Sequence, residues 1–194
     1  MLDVLQRLEL SIMDVIWRID VATLQFVQDY VRRDWLTPVM KTASFLGDVG
    51  LMWIVLGLIL VVFKKTRRGG AYMLSGLACE YVVNDLIIKN IFMRIRPYDA
   101  GIGIVNLVPA LTSSSFPSGH TASSFVCAYM LTKVFGGKGA LSYIPAVLIA
   151  LSRLYVGVHY LSDVFCGAVI GTAVGAFVYC MLRKIVQKRG EKTV

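Results

Sequence analysis

The chain has 194 residues, 57% of them hydrophobic and 16% charged, with a mean hydropathy of +0.69. Soluble domains sit nearer about 45–50% apolar and about 25% charged. The composition therefore excludes a disordered chain, a disulfide-stapled secreted module and an ordinary soluble enzyme, and leaves a membrane protein of one domain, residues 1–194.

The first 45 residues open on MLDVLQRLEL, with acids early and no apolar core, so no cleavable signal peptide is expected. Residues 10–31 are apolar but carry Asp14, Arg18, Asp20 and Asp29. They form either a first span or an amphipathic helix lying in the interface. The span is the preferred reading and gives about six spans with both termini inside, although Arg32, Arg33 and Lys41 then lie outside, against the charge rule. Five clearer apolar segments follow, at roughly 49–63, 70–92, 121–135, 140–155 and 160–182. Trp35 and Trp53 read as interfacial anchors. The four cysteines, Cys79, Cys127, Cys166 and Cys180, fall in apolar stretches without C-x-x-C spacing and read as small buried hydrophobes. Gly167, Gly171 and Gly175, spaced by four, read as a close-packing face within the monomer.

The formal charge of +8, from 20 Lys+Arg against 12 Asp+Glu, would suggest nucleic acid in a soluble protein. Here the basic residues cluster instead: Lys64, Lys65, Arg67 and Arg68; Lys133 and Lys138; Arg183, Lys184, Lys188, Arg189 and Lys192. These clusters follow the first, third and fifth clear segments, which makes those ends cytoplasmic and excludes a nucleic-acid partner as the reason for the charge. The connections at 93–120 and near 156–159 then lie outside. The first of them, with Pro97, Pro109, Pro117 and the run 112–115, reads as irregular and non-spanning.

With the clusters and the N-terminal quarter set aside, four basic residues remain, Lys89, Arg94, Arg96 and Arg153, and both histidines, His120 and His159, map to the same outer level. Charge near spans is costly and usually functional, so this convergence suggests an anion site with acid–base or nucleophilic capacity. Lys89 and Arg96, seven apart, share one helix face two turns apart until Pro97 stops the helix. Pro117-Ser118-Gly119-His120 reads as a helix start, whose free N–H groups and glycine let an anion approach closely. His159 and Asp163 are one helical turn apart, so the carboxylate can accept a hydrogen bond from one ring nitrogen, fix the tautomer and leave the other lone pair free. Arg153 and His159 would lie about 120° apart on a continuous helix, so a break is expected near 156–158. Arg94, about 140° from Lys89, reads as a headgroup contact. Asp85 is placed to pair with Lys89; Glu80 has no evident role.

Lys89-x6-Arg96-Pro97, Pro117-Ser118-Gly119-His120 and Ser152-Arg153-x5-His159-x3-Asp163 together resemble the three motifs of the type 2 phosphatidic acid phosphatase (PAP2) family, complete and in order across residues 89–163. The resemblance implies an all-α, polytopic membrane helix bundle and a metal-independent phosphatase with no cofactor. It implies that His159 attacks phosphorus to form a phosphohistidine, that Asp163 orients it, and that His120 protonates the leaving oxygen and then activates water. Lys89, Arg96, Arg153, Ser118 and Gly119 would hold the phosphate oxygens. A site just outside the cytoplasmic membrane, at headgroup level, favours a membrane lipid phosphate as substrate. Undecaprenyl diphosphate, cut to the monophosphate, is preferred over phosphatidylglycerophosphate and phosphatidic acid, though many bacterial undecaprenyl diphosphatases of the family carry Asp where Gly119 stands. A vanadium haloperoxidase would use the same anion pocket, but such relatives are soluble; a non-catalytic lipid-binding or transport protein would not need both histidines and Asp163.

Overall fold

A chain this apolar must satisfy its backbone polar groups within each segment, and helices do so. The computed structural model describes residues 2–191, with side chains from 11 to 188, and among the described residues it is helical with no strand. Lys192 and the side chains of Arg189 and of the opening ten residues, on which part of the charge pattern and the signal-peptide reading rest, lie outside what is described.

Helix α1 (Leu2–Phe26) runs into a π-helical turn, Val27–Val31. Helix α2 (Thr37–Leu46) meets α3 (Leu51–Val62) at a bend of 52°. Helix α4 (Arg67–Tyr81) continues through a π-helical stretch, Val82–Ile88, into the short α5 (Lys89–Phe92). Then come α6 (Gly119–Phe135), the single turn α7 (Gly137–Ala140), α8 (Tyr143–Tyr155) and the long α9 (Leu161–Glu191). Each of the five clear apolar segments is thus a helix.

Two stretches, Arg67–Asp99 and Leu161–Lys188, are long and apolar enough to cross a membrane, and α2 with α3 makes a third if the bent pair counts as one span. The expected six are not reached on this measure: α6 has 17 residues and α8 has 13, below the roughly 20 that a span needs, and the expected first span, α1, carries Asp14, Arg18 and Asp20 and does not qualify among the described residues. Helix α1 exposes Ile12, Met13, Val15, Ile16 and Trp17 while burying Asp20 and Leu24. Asp14 and Arg18 are exposed with these apolar residues, so Asp20 is the one charged side chain that α1 turns to the protein among its described residues.

Helix α6 is the hub, packed against α4, α8 and α9. It is buried around most of its circumference, from Thr121 to Leu131, and small residues make this possible. A Cβ at Gly171 would stand 2.2 Å from the carbonyl oxygen of Ala122, and one at Gly167 would stand 2.7 Å from that of Ser118. The glycine series of α9 therefore lets two helix backbones touch within one molecule, as its spacing suggests. Trp53 departs from expectation. It is buried, and its indole N–H donates to Ser124 Oγ of α6 at 2.9 Å, so it anchors the core and not the interface. Trp35 is exposed.

The chain breaks between α8 and α9 where expected. Gly157 takes the left-handed conformation (φ +79°), and a Cβ there would lie 2.8 Å from Arg32 Nη2 and Val105 O, so the turn admits only glycine. The helix ahead of Pro97 ends earlier than predicted. It stops at Phe92, and Met93 is left-handed (φ 42°, ψ 39°). Lys89 and Arg96 therefore do not share a helix face.

Candidate functional site

Four pieces of chain meet at one end of the bundle: the segment after α5, the first turn of α6, the α8–α9 turn and the α2–α3 bend. Arg96 is extended (φ −76°, ψ 154°), the conformation favoured before proline. Its buried guanidinium is held by four acceptors: Ser113 O at 2.9 Å, Val158 O at 3.0 Å, Ser113 Oγ at 3.1 Å and Ser114 O at 3.2 Å. That frame sets Nη1 3.5 Å from Nε2 of His159. Arg153, on the last turn of α8, is also buried; Nη1 donates to Ser44 Oγ of α2, while Nε has no hydrogen-bond partner.

His159 is buried in the turn before α9, and burial pushes its imidazole down to about 3 from the ordinary 6.5. It is therefore neutral at physiological pH, with a lone pair available. Nδ1 faces Asp163 Oδ2 at 3.5 Å, longer than the hydrogen bond predicted from the spacing. The carboxylate is engaged elsewhere. Oδ2 accepts from Ser115 Oγ at 2.5 Å and from Tyr160 N at 2.9 Å, and Oδ1 accepts from Arg94 Nη1 at 2.5 Å.

Arg94 departs from its expected place at the headgroups. It turns inward, stacks over the Tyr160 ring at 4.0 Å, and bridges Asp163 to Asp20 of α1, with Nη2–Oδ2 at 2.7 Å. Asp20 in turn accepts from the backbone N (2.8 Å) and Oγ (2.6 Å) of Ser162. The sequence set Arg94 among the converging basic residues but assigned it to the headgroups, and it gave no sign of Asp20's part. The 140° offset assumed a continuous helix, and the left-handed Met93 breaks that assumption.

Ser118 caps α6, accepting from Thr121 N at 3.4 Å and Thr121 Oγ1 at 3.0 Å, while its own N–H donates to Asp163 O at 3.1 Å. The motif serine thus ties the start of α6 to the start of α9. Lys89 pairs with Asp85 as the spacing suggests, and both sit over Gly119, whose Cβ would lie 3.2 Å from Lys89 Nζ. His120 Nε2 lies 2.7 Å from Asp48 Oδ1 on the α2–α3 bend, a contact the sequence did not signal.

A cavity of about 500 Å³ joins these groups: Lys89, Arg96, Gly119, His120 and His159 line it, and Ile54, Leu74 and Leu77 give it an apolar wall. Ser118, Arg153 and Asp163 are sealed directly behind. All eight expected residues thus converge, five on the cavity surface and three supporting them. Among the described residues, no group of three or more His, Cys, Asp or Glu is placed to hold a metal ion.

A family model described as the PAP2 superfamily matches residues 69–187. An undecaprenyl-diphosphatase of Sulfolobus acidocaldarius is 32% identical over 132 residues, 66% of this chain and 63% of that one. A decaprenylphosphoryl-5-phosphoribose phosphatase of Mycobacterium tuberculosis is 31% identical over 162 residues, 82% of this chain and 88% of that one. The solved transmembrane PAP2-type phosphatidylglycerolphosphate phosphatase of Bacillus subtilis superposes with a TM-score of 0.70 at 28% identity, covering 88% of each chain. The chain belongs to the PAP2 superfamily. By that membership it is a phosphatase, a phosphoric ester hydrolase.

Proposed function

We propose that this protein is a membrane lipid phosphatase that moves the terminal phosphoryl group of a polyprenyl diphosphate, undecaprenyl diphosphate above all, first to His159 and then to water. The observation that carries the reading is that both histidines line one cavity with Lys89 and Arg96. The neutral His159 attacks phosphorus through Nε2, the nitrogen turned towards Arg96, while Asp163 stands behind Nδ1 to take up the charge that develops on the ring. As the new N–P bond forms, the P–O bond to the lipid breaks and the leaving oxygen takes a proton from His120. Arg96, Lys89, Arg153 and the amide end of α6 offset the charge on the three equatorial oxygens. Ser118 holds that amide end in place. His120, now neutral, takes a proton from water; the hydroxide cleaves the phosphohistidine and releases inorganic phosphate.

The apolar wall offers a place for the first carbons of a lipid chain. The names of two relatives, undecaprenyl-diphosphatase and decaprenylphosphoryl-5-phosphoribose phosphatase, support a polyprenyl chain. The phosphatidylglycerolphosphate phosphatase neighbour supports a diacyl lipid monoester as the second reading. We infer a single membrane domain with six spans and the site at the outer face of the cytoplasmic membrane. The basic clusters at 64–68 and 133–138 lie at the opposite ends of the helices from the histidines, which supports that orientation.

The test is phosphate release from the purified protein in detergent, with undecaprenyl diphosphate, phosphatidylglycerophosphate and phosphatidic acid compared by kcat/KM in excess chelator. The diphosphate is expected to be turned over fastest, chelator to change nothing, and His159→Ala to lower kcat by roughly 10³-fold or more. Full activity in His159→Ala would remove the nucleophile assignment, and faster turnover of either monoester would move the substrate to the second reading.

A further inference from the structure

The bend between α2 and α3 is shaped around His120. Asp48 Oδ1 meets His120 Nε2 at 2.7 Å across 72 positions of sequence. At the neighbouring Gly47, a Cβ would stand 2.7 Å from His120 Cδ2 and 2.7 Å from Ile149 Cγ2, so only glycine lets the backbone lie against the imidazole. Val49 is left-handed (φ 53°, ψ 18°) and so is Gly50 (φ 69°, ψ 24°). A β-branched residue in that region is strained, and such strain persists only where the surroundings hold it. These two residues turn the chain by 52° and carry Asp48 to the ring. From the other side, Arg153 of α8 grips α2 through Ser44 Oγ.

The charges that face His120 are Asp48 from the bend, Arg153 from α8, and Lys89 with its partner Asp85 from the helix before the first motif. Burial first, and then the two cations, disfavour an imidazolium and hold the ring below the ordinary imidazole range; Asp48 is the carboxylate in direct contact that works against them.

We propose that Asp48 is the positioning residue for His120, accepting Nε2–H so that Nδ1 faces the leaving oxygen. This rests on the reading of His120 as the general acid. In the first half-reaction the Nδ1 proton passes to the departing oxygen as the P–O bond breaks, and Nε2–H stays on Asp48. In the second, Nδ1 removes a proton from water.

Leaving groups that differ in basicity give the test. Phosphatidic acid expels an alkoxide and needs the proton most, undecaprenyl diphosphate expels a phosphate monoester and needs it less, and p-nitrophenyl phosphate expels a stabilised phenolate and needs it least. With full-length protein in detergent, Asp48→Asn is expected to lower kcat about 10²-fold or more on phosphatidic acid, progressively less on the other two, with KM little changed. The alkaline limb of the kcat/KM profile is expected to move to lower pH. Asp48→Glu restores part of the loss, and Asp48→Asn adds nothing once His120→Ala is present. An equal loss on all three substrates, or an unmoved pH profile, would falsify the role of Asp48. If His120→Ala itself shows no leaving-group dependence, the acid assignment fails instead. Asp48 is half-exposed; should the asparagine variant not fold, Asp48→Ser carries the same expectations.

Discussion

Arg94 holds two carboxylates at once, Asp163 at 2.5 Å and Asp20 at 2.7 Å, and both acids are buried. Removing the guanidinium leaves two acids facing each other without a counter-ion, a defect that costs about 3–5 kcal/mol for a buried pair. Arg94→Gln is therefore expected to lower the melting temperature in detergent by several degrees and to reduce kcat, and Arg94→Lys to restore charge but not the two-pronged hold. A variant that melts and turns over like the wild type would show that the bridge does not support Asp163. The imidazole of His159 predicts a pH effect of definite sign. Its folded value, about 3, lies below the unfolded 6.5, so between those limits only the unfolded chain binds the proton. Its contribution to stability is complete above about pH 6.5 and declines as pH falls towards 3. The stability advantage of wild type over His159→Gln should shrink between pH 7 and pH 4; a constant difference would contradict it. The nearness of His159 to Asp163 was legible at this scale, but not their 3.5 Å separation: His159 lies in the turn before α9, and the carboxylate is taken up by Ser115, Tyr160 N and Arg94. Arg94 was not legible, because its direction depends on one left-handed residue that nothing in the sequence marks.

Among the elements, the contact between α6 and α9 governs how well the motifs meet. Gly167 faces the Ser118 carbonyl, and Ser118 N–H donates to the Asp163 carbonyl at 3.1 Å. Gly171, one turn further on, faces Ala122 in the interior of α6. Adding a methyl at either position forces the helices apart, and overpacking of this kind costs roughly 1–3 kcal/mol. Gly171→Ala should mainly lower the melting temperature, whereas Gly167→Ala should also lower kcat because it shifts the second motif against the third. Equal activity loss in both would mean the local link through Ser118 does not matter. The helices were readable from their apolar runs, and the break at Gly157 from the conflict between Arg153 and His159 on one rod. The bend at 47–50 was invisible. It depends on two successive left-handed residues, one of them a valine, and its purpose emerges only when His120 arrives from α6. Trp53 misled for a similar reason: the sequence shows a tryptophan near the end of an apolar run, but not the Ser124 hydroxyl that receives its N–H.

At the scale of the whole molecule, the polar groups of the site are turned inward, while the basic cluster at 64–68 stays at the surface. Asp20, Glu80, Asn84, Arg96, Arg153, His159 and Asp163 are buried, while isoleucines, valines and phenylalanines cover the outside. A lipid-facing exterior explains this, since the medium takes apolar side chains as readily as the core does. Glu80 Oε1 and Asn84 Oδ1 have no hydrogen-bond partner, and nothing in the structure explains them. Orientation can be checked by labelling single cysteines at exposed positions in a background without the four native ones. Asp99→Cys, in the loop over the site, should react from outside the cell, and Lys65→Cys, between α3 and α4, only after the membrane is opened. The reverse pattern would put the chemistry on the cytoplasmic face. The division of the basic residues into distant clusters and a small set at the other ends of the helices was already visible in the sequence; what the sequence could not show is that this set turns inward and that an acid of the first helix completes it.

That acid, Asp20, lies outside both the family match at 69–187 and the motif region. Helix α1 emerges from the ribosome before α9, so the carboxylate that anchors Arg94 must wait across 142 positions of sequence before it can meet Ser162. A nascent or truncated product can therefore carry every signature of the family and still lack an assembled active centre. Turnover then reports that α1 and the start of α9 have found each other, and a fragment beginning at residue 33 should be inert although all three motifs are intact.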